Sequence, residues 1–303
     1  MLRVLLLVAL ARLSVSTFDP ELHEKYLQLP RHQFIEHFNK QNFSWKITNY
    51  PHLENIDLNC DTTDESIKDL EIKSHDPKMY SQLPDNFDPR EHWDDCPTIK
   101  EIYDQGFCGS CWAFASVTLA SDRTCIRKGL VVRLSEQDLT CVKPICFGGS
   151  STDALGFWKD KGLVTLECRP YDISKQHVCE EKCIDSNIDY AKDKHFAEEI
   201  YAVSSNDNDI RAELFTNGPV YAGFDVYGDF QHYTSGVYEH QFGTYLGRHG
   251  VRVLGYGIEN GIDFWMVANS WGSSWGENGF FKIKRHQQLL GFEEKMYTGL
   301  AKS

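Results

Sequence analysis

The residues best suited to chemistry lie in one stretch, Asp104-Gln105-Gly106-Phe107-Cys108-Gly109-Ser110-Cys111-Trp112-Ala113-Phe114. Two cysteines, a glutamine and two glycines lead into an apolar run from Trp112 to Ala120. That run is hydrophobic nearly all round, the pattern of a buried helix rather than a surface one. Ser110 is a suitable N-cap and Gly129 a suitable stop, with Arg127 and Lys128 in the last turn, so the spacing predicts a helix that begins at Cys111. A thiol at that position sits at the positive end of the helix dipole, which lowers its pKa and favours a thiolate nucleophile. Cys108 and Cys111 are open to other readings: a redox pair, half of a zinc site, one disulfide cysteine beside one nucleophile, or two structural cysteines. The stretch alone does not choose among them.

A thiolate nucleophile needs a base, the base needs an orienting group, and the developing oxyanion needs donors. His249 opens a predicted strand 138 residues after Cys111 (249 − 111), and Asn269 follows 20 residues later in Ala268-Asn269-Ser270-Trp271-Gly272. A two-residue turn at Asn260-Gly261 would set Asn269 opposite Arg252, three positions from His249 and so on the other face of the strand. A bulge or a wider loop must restore the contact, and we expect the wider loop.

The elements that must position these residues fall into three blocks. Residues 18 to about 80 are polar, with a helical stretch from Gln33 to Asn39 and too few apolar residues for a core of their own. This block is expected to lie on the rest of the chain; Cys60, within it, has no evident partner. From Leu83-Pro84-Asp85 the character changes. Ser135-Glu136-Gln137-Asp138 reads as a capping box for a short helix to about Cys141. Cys146-Phe147-Gly148-Gly149 reads as a turn that another backbone can approach, and Ser151 and Thr152 cap a helix through Trp158. A further helix runs from Asn206 to Phe215. After Pro219 the chain turns to strands, predicted at Val220–Val226, Gly236–His240, His249–Tyr256, Phe264–Ala268, Phe280–Lys284 and Met296–Ala301. A helical half followed by a β-rich half implies an α+β fold of two lobes.

Composition bounds the setting. Leu2 to Leu10 form a short basic-then-apolar segment, followed by small residues at Ser14 and Ser16, which reads as a signal peptide over 1–16. Ten cysteines suit the oxidising secretory pathway that such a leader implies, and Asn42-Phe43-Ser44 is a glycosylation sequon. No second apolar run is long enough for a membrane span. The net charge of −13 argues against nucleic acid or an anionic membrane as partner.

The motifs Gln105-Gly106-x-Cys108-Gly109-Ser110-Cys111-Trp112 and Asn269-Ser270-Trp271-Gly272, together with His249, resemble the papain family of cysteine proteases, and within it the cathepsin B-like branch. The likeness extends over most of the chain after Leu83 and over a short prosegment. It implies a papain-like fold with a helical lobe at roughly 100–200, a β-rich lobe at roughly 201–303 with an N-terminal arm, and the active site between them. It further implies an inhibitory propeptide at 17–82 and a peptidase domain at 83–303. Residue by residue, the resemblance makes Cys111 the nucleophile and His249 its imidazolium partner. Asn269 holds the His249 ring, Trp271 shields that contact, and Gln105 joins the oxyanion hole. In papain-type pairs the cysteine pKa falls to about 3–4.

The same resemblance implies the pairs Cys96–Cys125, Cys108–Cys146, Cys141–Cys179 and Cys168–Cys183, which leaves Cys111 free and removes the redox and zinc readings. It makes Glu293 the acid at the base of the S2 pocket, and substrate contacts are further expected at Gly148, Gly149 and Trp271 and at Arg248 and Gly250 beside His249. No cofactor or metal is implied. Expected partners are protein and peptide substrates, the chain's own propeptide and cystatin-type inhibitors, with the enzyme a monomer in lysosome-like or endosomal vesicles or secreted. Three features depart from the branch: Gly247-Arg248-His249-Gly250 in place of Gly-Gly-His-Ala, Phe147 in the glycine turn, and a short Cys168–Cys183 loop without a histidine pair. The expected activity is therefore that of an endopeptidase made as a zymogen; the alternative is a catalytically silent homologue that binds peptides or inhibitors.

Overall fold

The structure is a computed structural model that describes residues 18–53, 56, 58, 60–61, 70–286, 289–294 and 296–303. The expected signal peptide lies outside the described residues. The central helix α4 (Cys111–Lys128) is buried on every side from Cys111 to Cys125, in keeping with the largely apolar stretch that opens it, and it ends at Gly129 with φ 64° in the left-handed region. Ser110 precedes its first turn, but its hydroxyl does not cap the helix; it bonds Tyr171 Oη at 2.9 Å instead. Helix α5 (Ser151–Asp160), capped by Ser150, packs on α4, and Trp112, Val117, Leu119, Leu155 and Trp158 form the core of this lobe.

The other lobe is built on strands. Along the chain these are β1 (Trp45–Ile47), β2 (Ile72–Lys73), β3 (Ala197–Val203), β4 (Val220–Tyr227), β5 (Tyr233–Tyr238), β6 (Tyr245–Glu259), β7 (Ile262–Ala268), β8 (Phe280–Lys284) and β9 (Met296–Ala301). They join in the order β1-β5-β8-β7-β6-β4-β9-β3-β2. The six strands expected from the sequence are present with bounds adjusted by a few residues; β1, β2 and β3 carry too weak a pattern to be read in advance. Helix α6 (Asp207–Asn217) is capped by Asn206. Two buried ion pairs tie α4 to the other lobe, Arg252–Asp122 at 2.6 Å and Arg123–Glu213 at 2.7 Å. Each guanidinium also donates to backbone carbonyls, which lowers the cost of burying the charge.

The prosegment contributes α1 (Pro20–Gln28), α2 (Arg31–Lys40) and β1. Its Phe34, Phe38 and Trp45 are at most 1% exposed because they enter the aromatic core of the β-rich lobe against Phe242 and Tyr238. It borrows a core rather than building one. Strand β1 pairs antiparallel with β5, so part of this docking is backbone addition to the sheet. A very short helix, α3 (Pro89–His92), precedes α4.

The β6–β7 hairpin corrects one expectation. Its loop is the two-residue turn Asn260-Gly261, with Glu259 opposite Ile262 and positive φ at both turn residues. The register then slips between Val253 and Gly255, leaving Leu254 as an extra residue, so that Arg252 faces Ala268. A bulge, and no wider loop, moves Asn269 to the face that His249 occupies.

Candidate active site

Cys111 begins α4 and is fully buried, with its sulfur accepting the Gly250 N–H at 3.2 Å. His249 lies on β6, also fully buried, and its Nε2 is 2.8 Å from Asn269 Oδ1. Since an amide oxygen only accepts, that contact places a proton on Nε2 and turns Nδ1 toward the sulfur atoms. The same oxygen accepts the Ser270 N–H at 2.8 Å, which fixes the Asn269 amide. The Trp271 ring centroid is 4.9 Å from that of His249 and closes this contact from water.

Gln105 is equally fixed. Its Nε2 donates to the Cys108 carbonyl at 2.8 Å, and its Oε1 accepts from Ser270 Oγ at 2.7 Å. A primary amide carries two N–H groups, so one remains for a substrate oxygen. Tyr171 supports the arrangement by donating to the Gln105 carbonyl at 3.0 Å. Ser270 and Tyr171 are positioning residues that no motif reading singled out; only their hydrogen bonds identify them.

The glycine turn stands across from His249. A Cβ on Gly149 would lie 2.5 Å from the Trp112 ring, so only glycine lets this backbone pack on α4. Gly148 N donates to the Gly109 carbonyl at 3.2 Å, while Gly149 N donates outward, to the carbonyl of Cys60 at 3.2 Å. Asp61 and Gly149 form a parallel β-bridge, and the N–H groups of Cys60 and Asp61 both donate to the Arg248 carbonyl at 3.2 Å. Prosegment backbone therefore occupies the groove that substrate backbone was expected to use.

Four disulfides are Cys96–Cys125, Cys108–Cys146, Cys141–Cys179 and Cys168–Cys183. The fifth corrects the expectation that Cys111 is free in this form: Cys111 is bonded to Cys60, with Cα atoms 5.6 Å apart. Cys60 Sγ is 3.5 Å from His249 Nδ1. The candidate nucleophile is thus capped by the prosegment cysteine that had no evident partner. Ligand atoms of Cys60, Cys111 and His249 all lie within 4.8 Å of one another, but sulfurs joined to each other are not thiolates and hold no metal in this state. Without an anionic sulfur beside it, His249 is pushed down by burial to about 4, against a smaller upward pull from Asn269.

Two specificity candidates are each held by neighbouring groups. Glu293 is 8% exposed, and its Oε1 accepts the Trp265 indole N–H at 2.8 Å and the His286 N–H at 2.9 Å. The two donors tie this carboxylate oxygen to β7 and to the backbone that follows β8. Arg248 is near the site but not a free cation, since it pairs with Asp225 at 3.0 Å and with Asp61 at 3.6 Å. Asn42 is exposed next to β1, accessible to a glycan.

A helix-borne sulfur, a strand-borne imidazole across a cleft, and an inhibiting N-terminal segment through that cleft together define a two-lobed thiol peptidase in its proform. The chain belongs to the papain family of cysteine proteases: the family model described as papain family cysteine protease matches residues 83–300. It is 43% identical over 248 residues to the gut-specific cysteine proteinase of Caenorhabditis elegans, covering 74% of this chain and 75% of that protein. Cathepsin B-like cysteine proteinase 3 of the same organism is 35% identical over 315 residues, covering 91% of this chain and 84% of that protein. Among solved structures, procathepsin B S9 from Trypanosoma congolense superposes with a TM-score of 0.83 at 30% identity, over 91% of this chain and 99% of that one. Digestive procathepsin L2 from Tenebrio molitor, at 24% identity and a TM-score of 0.72 over 92% and 91%, shares the fold.

Proposed function

We propose that this chain is the zymogen of an endopeptidase that cleaves internal peptide bonds of extended protein chains, with Cys111 as nucleophile and His249 as acid–base partner. Once Cys60 has left, the Cys111 thiolate forms at the N-terminus of α4 beside His249, and that anion raises the imidazole pKa from its locked value. The thiolate attacks the scissile carbonyl. The oxygen, now bearing the charge, is met by the spare Gln105 N–H and the Cys111 backbone N–H. His249 passes its proton to the leaving amine, and water then releases the acyl group from the sulfur with His249 as base.

The observation that carries endopeptidase over terminal trimming is the path of residues 169–178. They are pinned back onto the helical lobe: Gln137 Nε2 donates to the Lys175 carbonyl at 3.1 Å, Ile145 N to the Gln176 carbonyl at 3.0 Å and Thr140 Oγ1 to the Val178 carbonyl at 2.8 Å. Cys141–Cys179 and Cys168–Cys183 clamp both ends. A loop held this way supports a cleft open at its primed end, and its lone His177 lies against Phe147 with no second imidazole to hold a terminal carboxylate. The secretory or lysosomal setting general to cathepsin-like relatives fits the five disulfides. No helix among the described residues is long and apolar enough to cross a membrane. The test compares a peptide bearing a free C-terminus with its amidated twin: equal internal cleavage supports the reading, whereas dipeptide release confined to the free acid overturns it.

A further inference from the structure

The side chain of Asp61 fills a pocket that the catalytic description does not use. Cys60 is joined to the nucleophile, and its neighbour Asp61 pairs in backbone with Gly149. A substrate whose scissile carbonyl sits at Cys111 places the side chain of the preceding residue, P2, where its own backbone meets Gly149. The pocket that receives Asp61 is therefore the P2 pocket, seen with an occupant.

That occupant is a carboxylate, and the walls suit one. Tyr221, 1% exposed on β4, donates its hydroxyl to Asp61 Oδ1 at 2.8 Å. Arg248 Nε stands 3.6 Å from Asp61 Oδ2, and this buried Nε makes no hydrogen bond among the described residues. The Tyr297 hydroxyl, buried on β9, is likewise without a partner there. Gly223 is the floor: any Cβ on it would overlap Asp61 Oδ2. Gly250 is a second wall that could not carry a side chain, because a Cβ there would overlap the Tyr221 hydroxyl. Burial, and then the Asp61 charge, hold the Tyr221 phenol well above its ordinary pKa, so it stays a donor throughout the working range. Once the prosegment leaves, the buried Tyr221 hydroxyl loses its acceptor and the Arg248 guanidinium loses a paired carboxylate, and an unmet buried donor is costly. Asp225, at the rim, shares the Arg248 charge at 3.0 Å, so the pocket is a directional donor site and not a bare positive patch.

We propose that this pocket is an acid-selective S2 subsite, with Tyr221 and Arg248 recognising Asp or Glu at P2 and Gly223 leaving room for the carboxylate. The inference rests on the peptidase reading of the same cleft. The charged group that faces the occupant is a guanidinium, which favours an acidic side chain.

The experiment measures kcat/KM of the processed, reduced enzyme on peptides differing only at P2: Asp, Asn, Glu, Gln, Leu and Arg. Asp and Glu are expected to exceed their neutral amides by about tenfold or more, the scale of a charge-assisted hydrogen bond. Arg248→Gln should collapse that ratio, bringing Asp level with Asn and Glu level with Gln. Tyr221→Phe should lower the Asp and Glu rates more than the Leu rate; because Tyr221 is buried and that variant could misfold, the half-exposed Arg248→Gln is the deciding one. Asp61→Asn should also weaken the inhibition by an added prosegment peptide. Equal rates for Asp and Asn, a preference for Arg, or an Arg248→Gln enzyme with an unchanged ratio each overturn the subsite with the peptidase intact. Absence of turnover on every peptide overturns both readings.

Discussion

Replacing Cys60 by serine should convert a zymogen that needs both acid and reductant into one that needs acid alone. In the structure Cys111, the proposed nucleophile, is not merely covered; its sulfur is bonded to Cys60, and both cysteines are fully buried. Opening requires two external thiols, which become a disulfide while Cys60 and Cys111 each gain a proton. Exchange proceeds through attack on one of the two sulfurs, so it must wait for the Cys60–Asp61 strand to lift from Gly149 and Arg248. The lock closes a loop with a sequence separation of 51 residues. By chain entropy, a bridge of that span stabilises the folded zymogen by about 4 kcal/mol. Cys60→Ser should therefore reduce unfolding stability by up to about 4 kcal/mol, read as a lower denaturation midpoint, with a larger m-value because the unbridged unfolded chain exposes more surface. In native wild-type zymogen, iodoacetamide should label no cysteine, since all ten are paired; in Cys60→Ser it should label Cys111 once acid has loosened the prosegment. Activity after acid treatment without thiol, under anaerobic conditions, should appear in Cys60→Ser and not in wild type. Oxidation of Cys111 by other routes would affect both proteins alike. Labelling of Cys111 in the native wild-type zymogen, or equal thiol-free activity of the two, would refute the lock.

Other consequences can be checked on the same material. Cys111→Ala should abolish turnover while the reduced protein still folds, and peptidase activity above contamination would remove Cys111 from the mechanism. His232 is pushed down to about 4 by burial and by the Arg31 guanidinium of the prosegment 2.8 Å away; it faces the Tyr26 ring, the Thr48 carbonyl and Asp229. A histidine depressed in the folded state contributes stability that is present above its ordinary pKa and lost as pH falls through about 4, here about 3 kcal/mol. Prosegment release should thus steepen between pH 6 and 4, and His232→Gln should flatten that dependence; an unaltered pH profile refutes the assignment. Phe38→Ala removes a fully buried ring from the borrowed core, should cost about 3–5 kcal/mol of prosegment docking, and should raise the inhibition constant of an added prosegment by at least a hundredfold.

Much of the site was legible in the chain because its chemistry needs particular side chains on local elements. A run after Ser110 that is apolar nearly all round reads as a buried helix, and its cap places the start at Cys111. His249 on a strand and Asn269 after the next strand belong to one hairpin, whose turn at Asn260-Gly261 is set by residues that accept positive φ. The polar N-terminal block could be read as dependent on the rest, since three buried aromatics do not make a core alone.

What pattern could not supply was everything that depends on parity or on where distant residues meet. One extra residue, Leu254, decides which face of β6 Asn269 reaches, and a bulge leaves no mark in hydrophobic spacing. That the Glu293 carboxylate accepts from the Trp265 indole and the His286 N–H is decided by packing on β7, which its neighbours in sequence do not reveal. Cys60 is an unremarkable cysteine in a polar segment until tertiary folding carries it across 51 residues to Cys111, and Asp61 acquires meaning only because Tyr221 and Arg248 wait where it lands. The sequence by itself determined which groups could react, because reactivity belongs to residue type and local helix or strand position. Tertiary structure alone decided which of them are held, capped or aimed at a substrate, because burial and partner geometry are set by contacts between residues far apart in the chain.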